Sequence, residues 1–200
     1  MLRRQLFTGL KVTIALLVLT AVVYPAAVWA VGEVAFKRQA DGSFVKSGGK
    51  VVGSSLIGQS FSDKDGNPIP KYFQPRPSAA GNGYDAAASG GSNLGPSNPK
   101  LIDAVRGRVV AYRELNGLRP DATVPIDAVT ESGSGLDPDI SIANAMLQAP
   151  RVAKVRGLPV TTVESLVRSH SDGRPWGVLG EKTVNVLDLN LALDKLSPPG

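Results

Sequence analysis

VTIALLVLTAVVYPAAVWAV, from Val12 to Val31, is the stretch on which the fold turns. It lies within 21 consecutive uncharged residues between Lys11 and Glu33, mostly Val, Leu, Ala and Ile. A bilayer core about 30 Å thick needs roughly 20 residues of helix, so the run matches one crossing. Backbone N–H and C=O groups in lipid must pair within the segment, which predicts a helix with a kink at Pro25 near its far end. Tyr24 and Trp29 are placed for the outer interface, where amphipathic rings sit at headgroup level. A buried helix of a soluble domain is rarely this long without a polar face. A cleaved signal peptide is the closer rival, because Val28, Trp29 and Ala30 loosely resemble a small-residue cleavage site. The apolar run nevertheless exceeds an h-region of roughly 7 to 15 residues.

On the N-terminal side, Arg3, Arg4 and Lys11 come with no acid among them, which favours a cytoplasmic N-terminus. Lys37 and Arg38 follow the run, but a long C-terminal domain translocates largely regardless of its charge. The expected partition is therefore a cytoplasmic segment 1–11, a transmembrane helix 12–31 and an extracytoplasmic soluble domain 32–200. Of the 22 basic residues, three precede the run, and the rest nearly balance the 17 acidic ones. A nearly neutral domain with no aromatic platform is a poor nucleic-acid binder. The chain has no cysteine, which excludes a disulfide framework, a thiolate nucleophile and a cysteine-ligated metal.

Beyond the anchor, Val51–Phe61 (VVGSSLIGQSF) reads as a strand, a turn and another strand. Asp63–Pro70 concentrates turn formers and reads as a surface loop. In Pro77–Pro99, 15 of 23 residues are Gly, Pro, Ser or Asn, and a Tyr and a Leu at its heart favour an ordered loop over a linker. Asn98 and Pro99 announce a helix to Asn116, stopped by Gly117, with Ile102, Val105, Val109 and Tyr112 on one face. Ser141 or Asp139 can cap the next helix, which Pro150 should interrupt before Gly157. Thr161 and Glu164 have capping-box spacing for a short helix through Val167. The C-terminal VNVLDLNLALDKL favours a strand passing into a helix. One mixed α+β domain without internal repeats is expected.

Catalytic motifs fail when their full requirements are applied. Asp63–Gly66 (DKDG) departs from the P-type phosphorylation sequence DKTG at its third residue and lies on the wrong side of the membrane. As a calcium loop it has Pro68 where Gly is needed and Gln74 where a bidentate Glu should close the site. Ser43–Lys46 and Ser97–Lys100 satisfy SxxK without its companion elements. His170 is the sole histidine and stands in a polar setting, as a surface residue would. No Walker-type phosphate loop is present. Two Gly/Ser segments remain, Ser89–Leu94 (SGGSNL) and Ser132–Asp137 (SGSGLD). Their amides could line a concavity for an anion or a partner's carbonyls, or form tight turns packed on the domain.

Taken in order, these pieces resemble the C subunit of the Kdp-type potassium-transporting ATPase. The matching residues are Tyr24 and Pro25, GSSLIGQ (Gly53–Gln59), RPSA (Arg76–Ala79), ASGGSNL (Ala88–Leu94) and SNP (Ser97–Pro99). They continue through VTESGSGLDPDIS (Val129–Ser141), QAPRVAKVRG (Gln148–Gly157) and VNVLDLNLALDKL (Val184–Leu196). The resemblance implies an accessory subunit in a bacterial inner membrane, assembled with a channel-like A subunit that selects potassium and a P-type ATPase B subunit that hydrolyses ATP. It leaves room for a small additional membrane subunit.

The resemblance also implies a site assignment. One family proposal treats the C subunit as a catalytic chaperone that raises the ATP affinity of the B subunit in a ternary complex, without binding a cofactor tightly. It implies nucleotide-linked roles for Ser89, Gly90, Gly91, Ser92 and Gln148. Tyr24, Pro25, Arg76, Asn93, Ser132, Gly133, Ser134, Gly135, Asp137 and Arg151 are then partner-contact or structural residues. Topology objects to the nucleotide role, because ATP is cytoplasmic. An external cap on the A subunit near its potassium entrance is the physically preferred reading. The rivals are an exported hydrolase or ligand-binding domain unrelated to transport, and a pilin-like filament protein. The hydrolase would need a base, and the pilin an acid within its helix that this run lacks.

Overall fold

The computed structural model describes residues 1–197, which fall into two compact units divided between Phe44 and Val45. The first unit is dominated by one unbroken helical run, Leu2–Ala35. It comprises α1 (Leu2–Val18), a π-helical turn (Leu19–Val23) and α2 (Tyr24–Ala35). Its apolar side chains are exposed along its whole length, Leu17 at 61% and Val28 at 53% among them, as a helix facing lipid requires. Pro25 explains the π turn. Having no N–H, it cannot bond the carbonyl four residues back, and its ring collides with that carbonyl. Widening the turn relieves the collision, and the Tyr24 amide donates instead to the Leu19 carbonyl, five residues back. The expected kink is thus realised as a π bulge. A four-residue helix α3 (Lys37–Ala40) follows, with Lys37 paired to Glu33 and Asp41 on the surface.

The second unit contains the helices and the three-stranded sheet that build the core. Strands β1 (Phe44–Ser47) and β2 (Lys50–Ser54) form a hairpin at its boundary. Gly48 and Gly49 make the two-residue turn, both with positive φ (56° and 77°), as such a hairpin demands. The strand expected after Ser55 does not form. Only an isolated bridge joins Ser54 to Ile57, because β2 takes its partner from upstream. Residues 55–98 then run without helix or strand to α4 (Pro99–Asn116). Asn98 caps α4 by accepting from the Lys100 amide at 3.0 Å, and Gly117 ends it at φ 62°. Of the four residues expected on its apolar face, Tyr112 is buried, whereas Ile102 is exposed. Asn116 takes up the buried face one turn further on.

Strand β3 (Asp139–Ser141) leads directly into α5 (Ile142–Arg156), and Ser141 supplies the cap, accepting from the Asn144 amide at 3.1 Å. Pro150 does not break α5, contrary to expectation. It occupies an exposed position of the helix, while Ala149, Val152 and Ala153 are held in the core and keep the helix continuous through it. Helix α6 (Val160–Ser169) begins at Pro159 with no side-chain cap. Thr161 and Glu164 lie inside this helix, so the capping box is not used. Strand β4 (Ser171–Asp172) and β5 (Thr183–Asn185) complete a sheet in the order β3-β5-β4, both pairings antiparallel. Asn185 caps α7 (Val186–Leu196), the expected strand-to-helix passage. The core joins Phe73 and Ile140 to Val152, Val163, Val184 and Leu189.

Candidate functional site

Along α5, polar residues recur at helical spacing on a buried face. Asn144, Gln148 and Arg151 are 0%, 1% and 7% exposed. Asn144 Nδ2 donates to Asp127 (3.0 Å), whose carboxylate also accepts from the Ser141 amide (2.7 Å) and hydroxyl (2.9 Å). Asn144 Oδ1 accepts from the Tyr112 hydroxyl and from Gln148 Nε2, each at 2.9 Å. Gln148 then clamps the backbone of Gln74. Its Oε1 accepts from the Gln74 amide (2.7 Å) and its Nε2 donates to the Gln74 carbonyl (3.0 Å). Asn190 on α7 does the same to Phe73, with bonds of 2.9 and 3.0 Å. Two carboxamides from two helices therefore hold consecutive residues of an irregular segment, replacing the ladder a strand would have supplied. Both donors and both acceptor positions of the Gln148 amide are occupied within the fold, Arg151 Nη2 taking the remaining acceptor place at 2.8 Å.

This clamp fixes the start of the long loop that follows. Arg76 Nη1 pairs with Asp137 at 2.9 Å and Arg76 Nη2 donates to the Glu131 carbonyl at 3.2 Å, while the Tyr84 hydroxyl donates to the Arg76 carbonyl. Ser78 Oγ donates to the Gly135 carbonyl at 2.6 Å. The two Gly/Ser segments lie against each other. The Gly90 amide and the Ser89 hydroxyl both donate to the Ser134 carbonyl, at 2.9 and 3.0 Å. At Gly135, with φ 66°, an added Cβ would stand 2.6 Å from the Gly90 carbonyl oxygen and 2.8 Å from the Ala80 nitrogen. Only glycine permits that approach. Glu131 joins the same cluster. Burial pushes its carboxyl up, but the ion pair with Arg108 and the hydroxyl and amide of Ser92 outweigh this and hold it below the usual carboxylate range.

The structure thus gathers Arg76, Ser89, Gly90, Gly91, Ser92, Ser132, Ser134, Gly135 and Asp137 into one loop cluster, with Gly133 in the bend before Gly135 and Asn93 directly following Ser92. Asn93 has φ 52°, a left-handed conformation that asparagine tolerates. Gln148 and Arg151 belong to the buried α5 network, and Tyr24 and Pro25 open α2 directly after the π turn of the first unit. The polar contacts of His170 among the described residues stay within its own turn, Nδ1 lying 3.0 Å from the Leu166 carbonyl and 3.2 Å from Ser169 Oγ. Among the described residues no group of three or more acids or histidines could hold a metal ion. Sequence reasoning missed Asn116, Asp127, Asn144 and Asn190. For Asn144 the signal was present as polar residues at positions 141, 144, 148 and 151, a 3-4-3 spacing that marks one helical face, whereas Asn116, Asp127 and Asn190 lie on other elements and carry no such pattern.

The family model described as KdpC, K+-transporting ATPase, c chain, matches residues 6–195. A potassium-transporting ATPase KdpC subunit of Mycobacterium tuberculosis (strain ATCC 25618 / H37Rv) is 55% identical over 195 residues, covering 98% of this chain and 100% of the relative. Those of Koribacter versatilis (44% over 200 residues, 98% and 97% covered) and Variovorax paradoxus (55% over 177 residues, 88% of each) are similar along most of their length.

Proposed function

We propose a scaffolding role for this chain, which belongs to the KdpC family of K+-transporting ATPase c chains. It is an accessory, non-catalytic subunit of a potassium-transporting ATPase complex. One apolar helix gives it a single-pass inner-membrane topology, with the mixed α/β domain outside the cytoplasm. In our reading the helix packs through the π turn and the Tyr24–Pro25 pair that follows it against a channel-like A subunit in the bilayer. The loop cluster of the domain caps that subunit near its potassium entrance, and a P-type ATPase subunit completes the assembly, together with any small additional membrane subunit.

The observation that carries this reading is the locking of Ser89–Ser92 onto Ser132–Gly135 by bonds within the chain, with Gly135 setting the close approach. A long segment of small polar residues becomes a fixed surface before any partner arrives, which lowers the ordering entropy of assembly. The nucleotide-linked alternative for Ser89, Gly90, Gly91, Ser92 and Gln148 has less support. Gln148 is fully engaged internally and the domain is separated from cytoplasmic ATP.

Detergent extraction of cells expressing the whole transport system tests the role. A complex containing this chain, with potassium-stimulated ATPase activity, is expected. Undiminished activity and yield from cells lacking the chain would overturn it. A reporter fused after Gly200 and active only outside the cytoplasm tests the topology.

A further inference from the structure

Arg151 is buried at 7% exposure, yet every acceptor it meets is neutral. Nε donates to Asn116 Oδ1 at 2.9 Å and Nη2 to Gln148 Oε1 at 2.8 Å. Nη1 donates to the carbonyls of Tyr72, at 3.0 Å, and Pro70. Four of the five guanidinium N–H groups are thereby used. Among the described residues no carboxylate lies within 4.0 Å of it. Arg156, about one and a half turns along the same helix and with its side chain shielded from solvent, has its carboxylate in Asp194 at 2.7 Å. Burial pulls the Arg151 pKa down to about 10, which still leaves it charged at neutral pH. A buried charge with no counter-ion is costly and calls for a partner.

A cavity of about 590 Å³, with Arg151 on its lining, opens between the end of α4 and the second half of α5. Pro70, Leu115, Pro150 and Val155 supply apolar walls, and Lys154 adds a second positive charge. Glu114 is the one acid on its lining and makes no ion pair with Arg151. The volume falls within the range of pockets that enclose whole ligands, far more than one small anion fills, and the apolar walls suit methylene groups. We infer that this cavity receives an acidic side chain of a partner subunit, whose carboxylate becomes the missing counter-ion of Arg151 when the complex assembles. The inference rests on the subunit role proposed above and names a contact within it.

A zero-length carbodiimide cross-linker, which joins a carboxylate to a primary amine, reads this contact in the purified complex. The expected product links Lys154 to an Asp or Glu of another subunit, and Lys154→Arg abolishes it while keeping the charge. Neutralising the linked partner acid should weaken capture of this chain about 30-fold or more, as removal of one member of a buried charge pair does. An intact complex in which Lys154 is unlinked, or linked only to Glu114, overturns the inference and leaves the subunit role standing. A loss below twofold on neutralising the acid overturns it too, as does inorganic phosphate blocking the Lys154 reaction without displacing any partner. Failure to recover any complex would instead refute the subunit role.

Discussion

Replacing Gly135 by alanine tests whether the two Gly/Ser segments hold each other. The left-handed φ of 66° costs a residue with a Cβ about 1 to 2 kcal/mol. The new methyl would also stand 2.6 Å from the Gly90 carbonyl oxygen, a distance that backbone atoms cannot concede without separating the loops. Separation forfeits the bonds from the Gly90 amide and Ser89 hydroxyl to Ser134, and from Ser78 to Gly135. At about 0.5 to 1.5 kcal/mol net for each of the three bonds, and with the φ cost added, the total loss comes to about 2.5 to 6.5 kcal/mol. Gly133 is the internal control, since a Cβ there meets nothing within 4 Å and its φ is unexceptional. Hydrogen exchange of the full chain in detergent reads the effect at the Gly90, Gly58 and Tyr84 amides. Their protection should collapse in Gly135→Ala and persist in Gly133→Ala. Equal protection in both variants would refute the reasoning.

Asn190→Leu strands the amide and carbonyl of Phe73 in the core and should destabilise the domain by about 2 to 5 kcal/mol, read as a lowered denaturation midpoint with unchanged slope. Pro25→Ala restores an N–H and lets the π turn relax, rotating the outer half of the membrane helix by about 100° against the inner half. Membrane insertion should be retained, while recovery of the assembled complex falls; an undiminished yield would remove the π turn from the interface. Burial raises the Tyr84 phenol well above its ordinary value of 10.0. The folded chain therefore keeps a proton that the unfolded chain releases, and stability falls as the pH rises above 10. Tyr84→Phe should make that alkaline limb shallower in a pH series of unfolding midpoints, with Tyr112, also raised by burial, keeping its own share.

Local features that depend on neighbouring residues were legible in the sequence. Asn98 and Pro99 open α4, Gly117 closes it, and the strand-to-helix passage at Asn185 follows from pattern alone. Pro150 misled because a proline's effect depends on which face it occupies. The apparent capping box at Thr161 failed because Pro159, two residues earlier, begins the helix. The second strand after Ser55 was not needed once β1 had paired with β2.

The sequence by itself determined the membrane anchor, since 21 uncharged residues have one economical solution in lipid, and it determined the family through ordered motifs along the chain. It placed Gln148, Arg151 and the two Gly/Ser segments on a list of candidates without saying what each touches. Only the tertiary structure decided that Gln148 grips the backbone of Gln74, that Ser89–Ser92 and Ser132–Gly135 lock together, and that Arg151 is buried without a counter-ion. Those contacts join residues more than 40 positions apart or depend on what the rest of the fold excludes. Hydrogen bonding and desolvation act through space, and the order of residues along the chain does not record them.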